Sequence, residues 1–158
     1  MIIIGIDPGL NHTGYGLVEI QKDKIIAIDY GSITNKTSDN FSDKIKNIYG
    51  VIDHLIQTYS PHELVLEEIF FSKNTRSAIN VGKICGVVAL TATLAGINVT
   101  TYTPLQIKQS VVGYGRASKN QVQVMVKVLL NLSDIPRPDH AADALAVAIC
   151  HIHSRYSY

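Results

Sequence analysis

The sequence predicts an α/β fold in which helices flank a mixed five-stranded sheet. Three strand-like segments follow one another at the start of the chain, which is typical of antiparallel pairing. Two further strand-like segments are each preceded by a helical segment, and this alternation is typical of parallel pairing. The 158 residues correspond to a single domain, 1–158, and their 46% hydrophobic and 17% charged content excludes a disordered protein.

The first three segments are predicted as a central strand followed by a hairpin. Residues 2–6 are continuously apolar and mostly β-branched, which favours a strand buried on both faces. Pro8 ends this strand because it cannot donate a ladder hydrogen bond. Residues 15–20 and 25–33 are the next two predicted strands, joined by the turn 21–24.

The middle of the chain alternates between helix and strand. Apolar residues recur at helical spacing over 41–59, and 64–66 is a short strand that runs into Glu67 and Glu68. Residues 77–95 predict a helix that is apolar on most sides. Such a helix is either deeply buried or part of a subunit contact.

The last third contains one more strand and three helices. Residues 99–102 form the fifth predicted strand, and capping boxes at 103–106 and 118–121 predict the starts of two helices. A final helix is expected from near Asp139, taken as its N-cap, to about His151.

The formal net charge of +1 conceals an uneven distribution of charge along the chain. Residues 1–68 carry a net charge of −5, residues 69–133 carry +7 without a single acid, and residues 134–158 carry −1. A long acid-free basic segment indicates a surface that faces a polyanion. The alternative interpretation is chance combined with high apolar content.

Cysteine usage and hydropathy predict a cytoplasmic protein that does not bind membranes. Cys85 and Cys150 form no metal-binding or redox motif, so we expect reduced thiols. The apolar start of the chain is too short for a signal peptide. The charge-free run 84–107 is interrupted by Gly96 and Pro104, among others, so no spanning helix is expected there.

Four polar residues are predicted to converge at one edge of the sheet. Asp7 and Glu67 end strands that we expect to be parallel, and His140 and Asp143 share one face of the final helix. Three carboxylates and an imidazole repel one another unless a cation lies among them. Such donors favour Mg²⁺ or Mn²⁺, and two ions can clamp a phosphodiester. Alternatively, these are unrelated turn, strand-end and surface residues.

These motifs together resemble the RuvC crossover junction endonucleases. The resemblance covers essentially the whole chain, in order and at matching spacing. It is carried by Asp7-Pro8-Gly9, Thr13-Gly14-Tyr15-Gly16, Leu66-Glu67-Glu68-Ile69-Phe70, Lys73-Asn74, Lys108-Gln109, Val111-Val112-Gly113-Tyr114-Gly115, Lys119 with Gln121-Val122, and His140-Ala141-Ala142-Asp143-Ala144-Leu145-Ala146.

The resemblance implies an RNase H-like fold of the retroviral integrase superfamily and a homodimer. It also implies resolution of Holliday junctions, the four-way DNA intermediates of recombination and repair. The expected products are two symmetric nicks in strands of like polarity with ligatable 5′-phosphates. The implied partners are two Mg²⁺ ions per site, which Mn²⁺ can replace, and the RuvA–RuvB branch-migration complex.

The resemblance also implies roles for individual residues. Asp7, Glu67 and Asp143 match family catalytic acids. At the fourth position the chain has His140, where many members have an acid, and Asp139 stands one residue earlier. Ungapped spacing favours His140, and a histidine ligand favours Mn²⁺ over Mg²⁺ more than an acid does.

Six further residues are expected to contact DNA. Lys108 and Lys119 match family lysines near the scissile phosphate and the DNA backbone. Phe70 matches an aromatic residue thought to stack on unpaired bases, although core packing of both Phe70 and Phe71 is the alternative. The charge of the basic segment adds three candidate phosphate ligands: Lys73, Arg76 and Arg116.

The helix at 77–95 is assigned to the dimer interface, since its apolar positions exceed what one sheet face needs: Ile79, Ile84, Val87, Val88 and Leu94.

Two other functions compete with the nuclease. An actin-like ATPase or sugar kinase needs two domains, which 158 residues cannot supply. A non-catalytic junction-binding module does not explain why all four of the converging polar residues are present.

Overall fold

The computed structural model describes residues 1–22, 24–68 and 75–156, without the side chains of 75 and 76. The described residues form five strands and five helices. In chain order these are β1 (Ile2–Asp7), β2 (His12–Gln21), β3 (Lys24–Thr34), α1 (Phe41–Tyr59), β4 (Glu63–Glu67), α2 (Thr75–Leu94), β5 (Asn98–Tyr102), α3 (Pro104–Val112), α4 (Lys119–Leu129) and α5 (Asp139–Arg155).

The five strands form one mixed sheet in the order β3-β2-β1-β4-β5. β2 pairs antiparallel with both β1 and β3, whereas β4 pairs parallel with both β1 and β5. The predicted mixed five-stranded sheet is therefore confirmed. Because β1 and β4 are parallel neighbours, their carboxyl ends lie at the same edge of the sheet.

Each face of the sheet is covered by its own hydrophobic core. Ile4 and Ile6 of β1 pack with residues of α1 and α2 on one face. Ile3 lies on the other face, in a core shared with α3, α4 and α5. The alternation of side chains along a strand explains why a continuously apolar β1 contributes to both cores.

Glycines allow α5 to lie directly on the sheet. A Cβ at Gly5 would be 2.2 Å from the carbonyl oxygen of Ala144, and one at Gly14 would be 1.9 Å from that of His140. A Cβ at Gly16 would be 2.8 Å from side-chain atoms of Leu145. No side chain larger than hydrogen fits at these positions. The first turn of α5 is consequently held against the edge where β1 ends.

The structure corrects two details at the C-terminal helix. Asp139 is not the N-cap: Pro138 takes that position and Asp139 is the first helical residue. α5 also runs to Arg155 rather than to about His151. The longer helix keeps His151 fully buried within the fold, where its Nε2 lies 3.0 Å from a carboxylate oxygen of Glu63.

The apolar residues of α2 are divided between the core and the surface. Ile84 and Val88 are fully buried, so these two do not belong to an outer apolar face. Ile79 and Leu94 are exposed, and Leu90 is a further exposed residue. These three form the outer face of α2.

One helix in the described part of the chain is long and apolar enough to cross a membrane by length and composition alone. It is the stretch Ser77–Leu94, with a mean hydropathy of 1.5 and 28% of its residues buried. A core helix satisfies the same criteria, and the inner side of this helix does pack in the core beneath the sheet.

Candidate active site

Asp7, His140 and Asp143 come together at the edge where β1 ends. One ligand atom from each lies within 4.8 Å of the others. Nδ1 of His140 is 2.7 Å from Oδ2 of Asp7, and this hydrogen bond raises the pKa of His140 above its ordinary value. The two α5 residues are one helical turn apart, so both face β1. The predicted convergence of these three residues is observed.

Glu67, on the neighbouring strand, lies beside this group and interacts with Asp7 and Asp143. The register pairs Ile6 with Leu66, so Asp7 and Glu67 follow at adjacent strand ends. Burial is the main cause that raises the pKa of Glu67 to about 7, and the charges of Asp7 and Asp143 raise it further. The site therefore holds more negative charge than its surroundings neutralise, which is the condition that a bound cation relieves.

Lys119 partly offsets this negative charge. Its Nζ lies 2.9 Å from Oδ2 of Asp143 and 3.6 Å from Oδ2 of Asp139. Burial raises the pKa of Asp143 and Asp7 adds to the rise, whereas the hydrogen bond from Lys119 opposes it. One lysine that is shared with Asp139 does not balance the three carboxylates of Asp7, Glu67 and Asp143.

A cleft of about 290 Å³ opens beside the carboxylates. Glu67 and Asp143 lie on its acidic side, and Lys108 of α3 and Lys119 of α4 line it as well. Both predicted capping boxes are present: Thr103 starts α3 and Ser118 starts α4. These caps fix the helix starts and hence the two lysines. The cleft thus combines cation-binding groups with cations that suit a phosphate.

The other side of the α5 start carries residues that the sequence analysis did not select. The ring of His12 stacks on His140, with centroids 5.6 Å apart and planes 12° apart. Arg137 forms an ion pair with Asp139. His12 directly precedes the Thr13-Gly14 motif. This neighbourhood is the signal in the sequence that could have placed His12 near the site.

The remaining predicted DNA contacts are only partly described. Arg116 is exposed in the loop between α3 and α4, as expected for a phosphate ligand. Phe70, Phe71 and Lys73 lie outside the described residues, as does the side chain of Arg76. The structure therefore tests neither the predicted DNA contacts of Phe70, Lys73 and Arg76 nor the alternative that Phe70 and Phe71 both pack in the core.

An RNase H-like fold with acidic groups clustered at the ends of adjacent strands defines a class of nucleic-acid nucleases. The family model described as crossover junction endodeoxyribonuclease RuvC matches residues 3–151. The chain belongs to this RuvC family.

Individual relatives agree with this assignment. The crossover junction endodeoxyribonuclease RuvC of Ruminiclostridium cellulolyticum is 53% identical over 151 residues, which is 96% of this chain and 91% of the relative. That of Clostridioides difficile is 50% identical over 98% of this chain and 91% of the relative. The structure of T. thermophilus RuvC in complex with a Holliday junction substrate matches with a TM-score of 0.92 at 33% identity, covering 98% of this chain and 95% of that one. The yeast mitochondrial Holliday junction resolvase Ydc2, with a TM-score of 0.68 and 14% identity, covers 94% of this chain and 76% of that one and shares the fold.

Proposed function

We propose that residues 1–158 act as one nuclease domain that resolves Holliday junctions in recombination and DNA repair. It hydrolyses one phosphodiester in each of two strands of like polarity and leaves ligatable 5′-phosphate nicks. The convergence of Asp7, His140 and Asp143 within 4.8 Å carries the proposal. The lysine-lined cleft beside these residues supports a phosphodiester as the reacting group.

The donor set fits divalent cations. Asp7, Glu67 and Asp143 supply carboxylate oxygens and His140 supplies an imidazole, a set that suits Mg²⁺ and also accepts Mn²⁺. The pKa of about 7 at Glu67 supports the same assignment, because it reflects burial first and then the charges of Asp7 and Asp143, which a bound cation would offset. We assign these four residues to two bound ions. When bound, such ions would supply activation of the attacking water and stabilisation of the leaving oxygen.

The residues around the cleft position the DNA. Lys119 already pairs with a carboxylate of the site, so its ammonium lies where a phosphate oxygen would approach. Lys108 lines the same cleft and neutralises the phosphate from another wall. The exposed Arg116 binds the backbone further out. The family resemblance and the basic charge of the segment assign Phe70 to base stacking, and Lys73 and Arg76 to phosphates.

A homodimer presents two such sites to the two like strands of a junction. The outer face of α2, with Ile79, Leu90 and Leu94 exposed, supports this helix as the contact. The family resemblance adds the RuvA–RuvB complex as a partner and the cytoplasm as the location. A sedimentation run that shows only monomer at micromolar concentration would contradict the dimer.

A synthetic four-way junction tests the function. We expect paired, symmetric nicks in Mg²⁺ or Mn²⁺, and no nicks in a linear duplex of the same sequence. Asp7→Asn should bind the junction but not cleave it, because it loses a cation-binding carboxylate. Binding without cleavage in either metal would identify a non-catalytic junction-binding protein instead.

The metal preference tests the role of His140. Exchanging the imidazole for a carboxylate in His140→Asp should shift the preference from Mn²⁺ towards Mg²⁺, since the softer nitrogen donor is lost. The measurement is the ratio of single-turnover nicking rates in the two metals. An unchanged ratio would show that His140 is not a ligand, whereas Asp139→Asn is the matched change that should leave the ratio alone.

A further inference from the structure

A second cavity lies on the opposite side of the α5 start from the lysine-lined cleft. Its volume is about 510 Å³, and it opens between β2, β3 and the first turn of α5. Asp143 lines the first cleft and His140 lines this second cavity. The proposed metal ligands therefore stand between two openings, only one of which has a role in the proposed function.

The cavity has a cation at its rim. Arg137 lines it, and its side chain is 69% exposed. Among the described residues this guanidinium pairs with Asp139, which also lines the cavity and whose carboxylate pairs with Lys119 as well. Because exposed ion pairs contribute little, an incoming phosphate can take the guanidinium at small cost. A planar guanidinium also matches two phosphate oxygens at once.

Two further features of the walls suit an anion. The N-cap of α5 is Pro138, which makes no side-chain capping hydrogen bond among the described residues. Pro138, Asp139 and His140, at the positive end of this 17-residue helix, line the cavity. The opposite wall is lined by Ser32 and Thr34 of β3, two uncharged residues that do not repel a phosphate.

His12 connects this cavity with the metal ligands. It lines the cavity, and its ring stacks on that of His140. A DNA strand whose scissile phosphate lies at the carboxylates must continue past them in both directions. One direction leads into the cleft with Lys108 and Lys119, and the other passes His140 and His12 towards Arg137.

We propose that this second cavity binds the backbone phosphate next to the scissile one in the cleaved strand, with Arg137 as its ligand. The proposal rests on the proposed function and adds a second contact point to the same site. Holding the strand on both sides of the reacting phosphate fixes that phosphate against the cluster. Arg137 supplies position and affinity without reading sequence.

Junction binding as a function of salt gives the first test, measured by fluorescence anisotropy in EDTA. Arg137→Gln should weaken binding about tenfold and reduce the slope of log K against log salt by about one. The control is Lys24→Gln, which also removes one positive charge. Lys24 lies at the other end of β3 from Ser32 and Thr34, which line the cavity, so this change should affect neither quantity. If the two variants behave alike, the effect is general electrostatics and the proposal is wrong.

Junctions with one neutral methylphosphonate at successive positions give the decisive test. In the wild type, neutralising the phosphate next to the scissile one should cost about tenfold in affinity. The Arg137→Gln variant should lose no further affinity when that phosphate is neutral. Neutral phosphates on the side of Lys119 should still weaken its binding. Arg137→Lys should fold and recover part of the loss. Equal, additive losses at every position would overturn the proposal.

Two different results would overturn the proposed function and the proposed phosphate site. A wild-type protein that does not cleave the junction overturns the proposed function, whatever Arg137 does. Normal cleavage together with additive losses in the methylphosphonate series overturns only the phosphate site.

Discussion

Replacing Glu67 by glutamine should stabilise the metal-free protein at alkaline pH, although it removes a proposed metal ligand. Burial, Asp7 and Asp143 raise the pKa of Glu67 from 4.5 to about 7. Between these two values the folded protein binds a proton that the unfolded chain has released, so stability falls as the pH rises. At about 1.4 kcal/mol per pKa unit, the penalty above pH 7 is about 3 kcal/mol at most.

Urea unfolding followed by circular dichroism in EDTA measures this penalty. The stability advantage of Glu67→Gln over the wild type should grow by about 2–3 kcal/mol between about pH 5 and about pH 8. The exposed neighbour provides the control, since Glu68→Gln should keep a constant difference. Added Mg²⁺ should stabilise the wild type more than Glu67→Gln, because the ion binds only the folded site.

A difference between Glu67→Gln and the wild type that does not change with pH would refute the reasoning. It would mean that Glu67 is neither desolvated by burial nor held against the other two carboxylates. The pKa of Glu67 would then no longer indicate uncompensated negative charge at the site. The chemistry of the donor atoms would be the remaining evidence for bound cations.

Two further predictions concern packing and buried charge. Gly14→Ala should cost several kcal/mol of stability and abolish cleavage, because its Cβ would lie 1.9 Å from the carbonyl oxygen of His140. Gly50→Ala on α1 has open space and should be neutral or slightly stabilising, so similar effects of Gly14→Ala and Gly50→Ala in thermal unfolding and nicking assays would contradict this explanation. Burial lowers the pKa of His151 below 6.5, so the wild type should lose stability relative to His151→Gln as the pH falls below 6.5, where the unfolded imidazole takes up a proton first. Urea titrations across this range measure the difference, and a constant value would contradict the prediction.

The fold was predictable where one physical cause dominates. Continuous apolar sequence at 2–6 and helical spacing over 41–59 reflect burial alone, and the observed bounds are Ile2–Asp7 and Phe41–Tyr59. The start of β2 was missed, since it begins at His12 rather than at residue 15. Glycine has low strand propensity, but at Gly14 the close approach of α5 outweighs that preference.

The site was predictable from strand ends and helix spacing, but its surroundings were not. Asp7 and Glu67 follow from the sheet, and His140 and Asp143 follow from helical periodicity. His12 lies at the start of a strand and looks like a surface residue in the sequence. Its position depends on how β2 meets the first turn of α5, which is a tertiary contact that no local pattern specifies.

The choice between Asp139 and His140 depends on the same contact. His140 is three residues before Asp143 and Asp139 is four residues before it. Both spacings are close to the 3.6 residues of one helical turn, so either residue can share a face with Asp143. The carbonyl of His140 packs against Gly14, and this contact sets the rotation of α5 about its axis. Residue 140 then faces Asp7, whereas Asp139 is turned about 100° away towards Lys119 and Arg137. A glycine in a distant strand therefore decides which neighbouring side chain joins the proposed metal-binding group, and the acid that is left out pairs instead with two cations proposed to hold DNA.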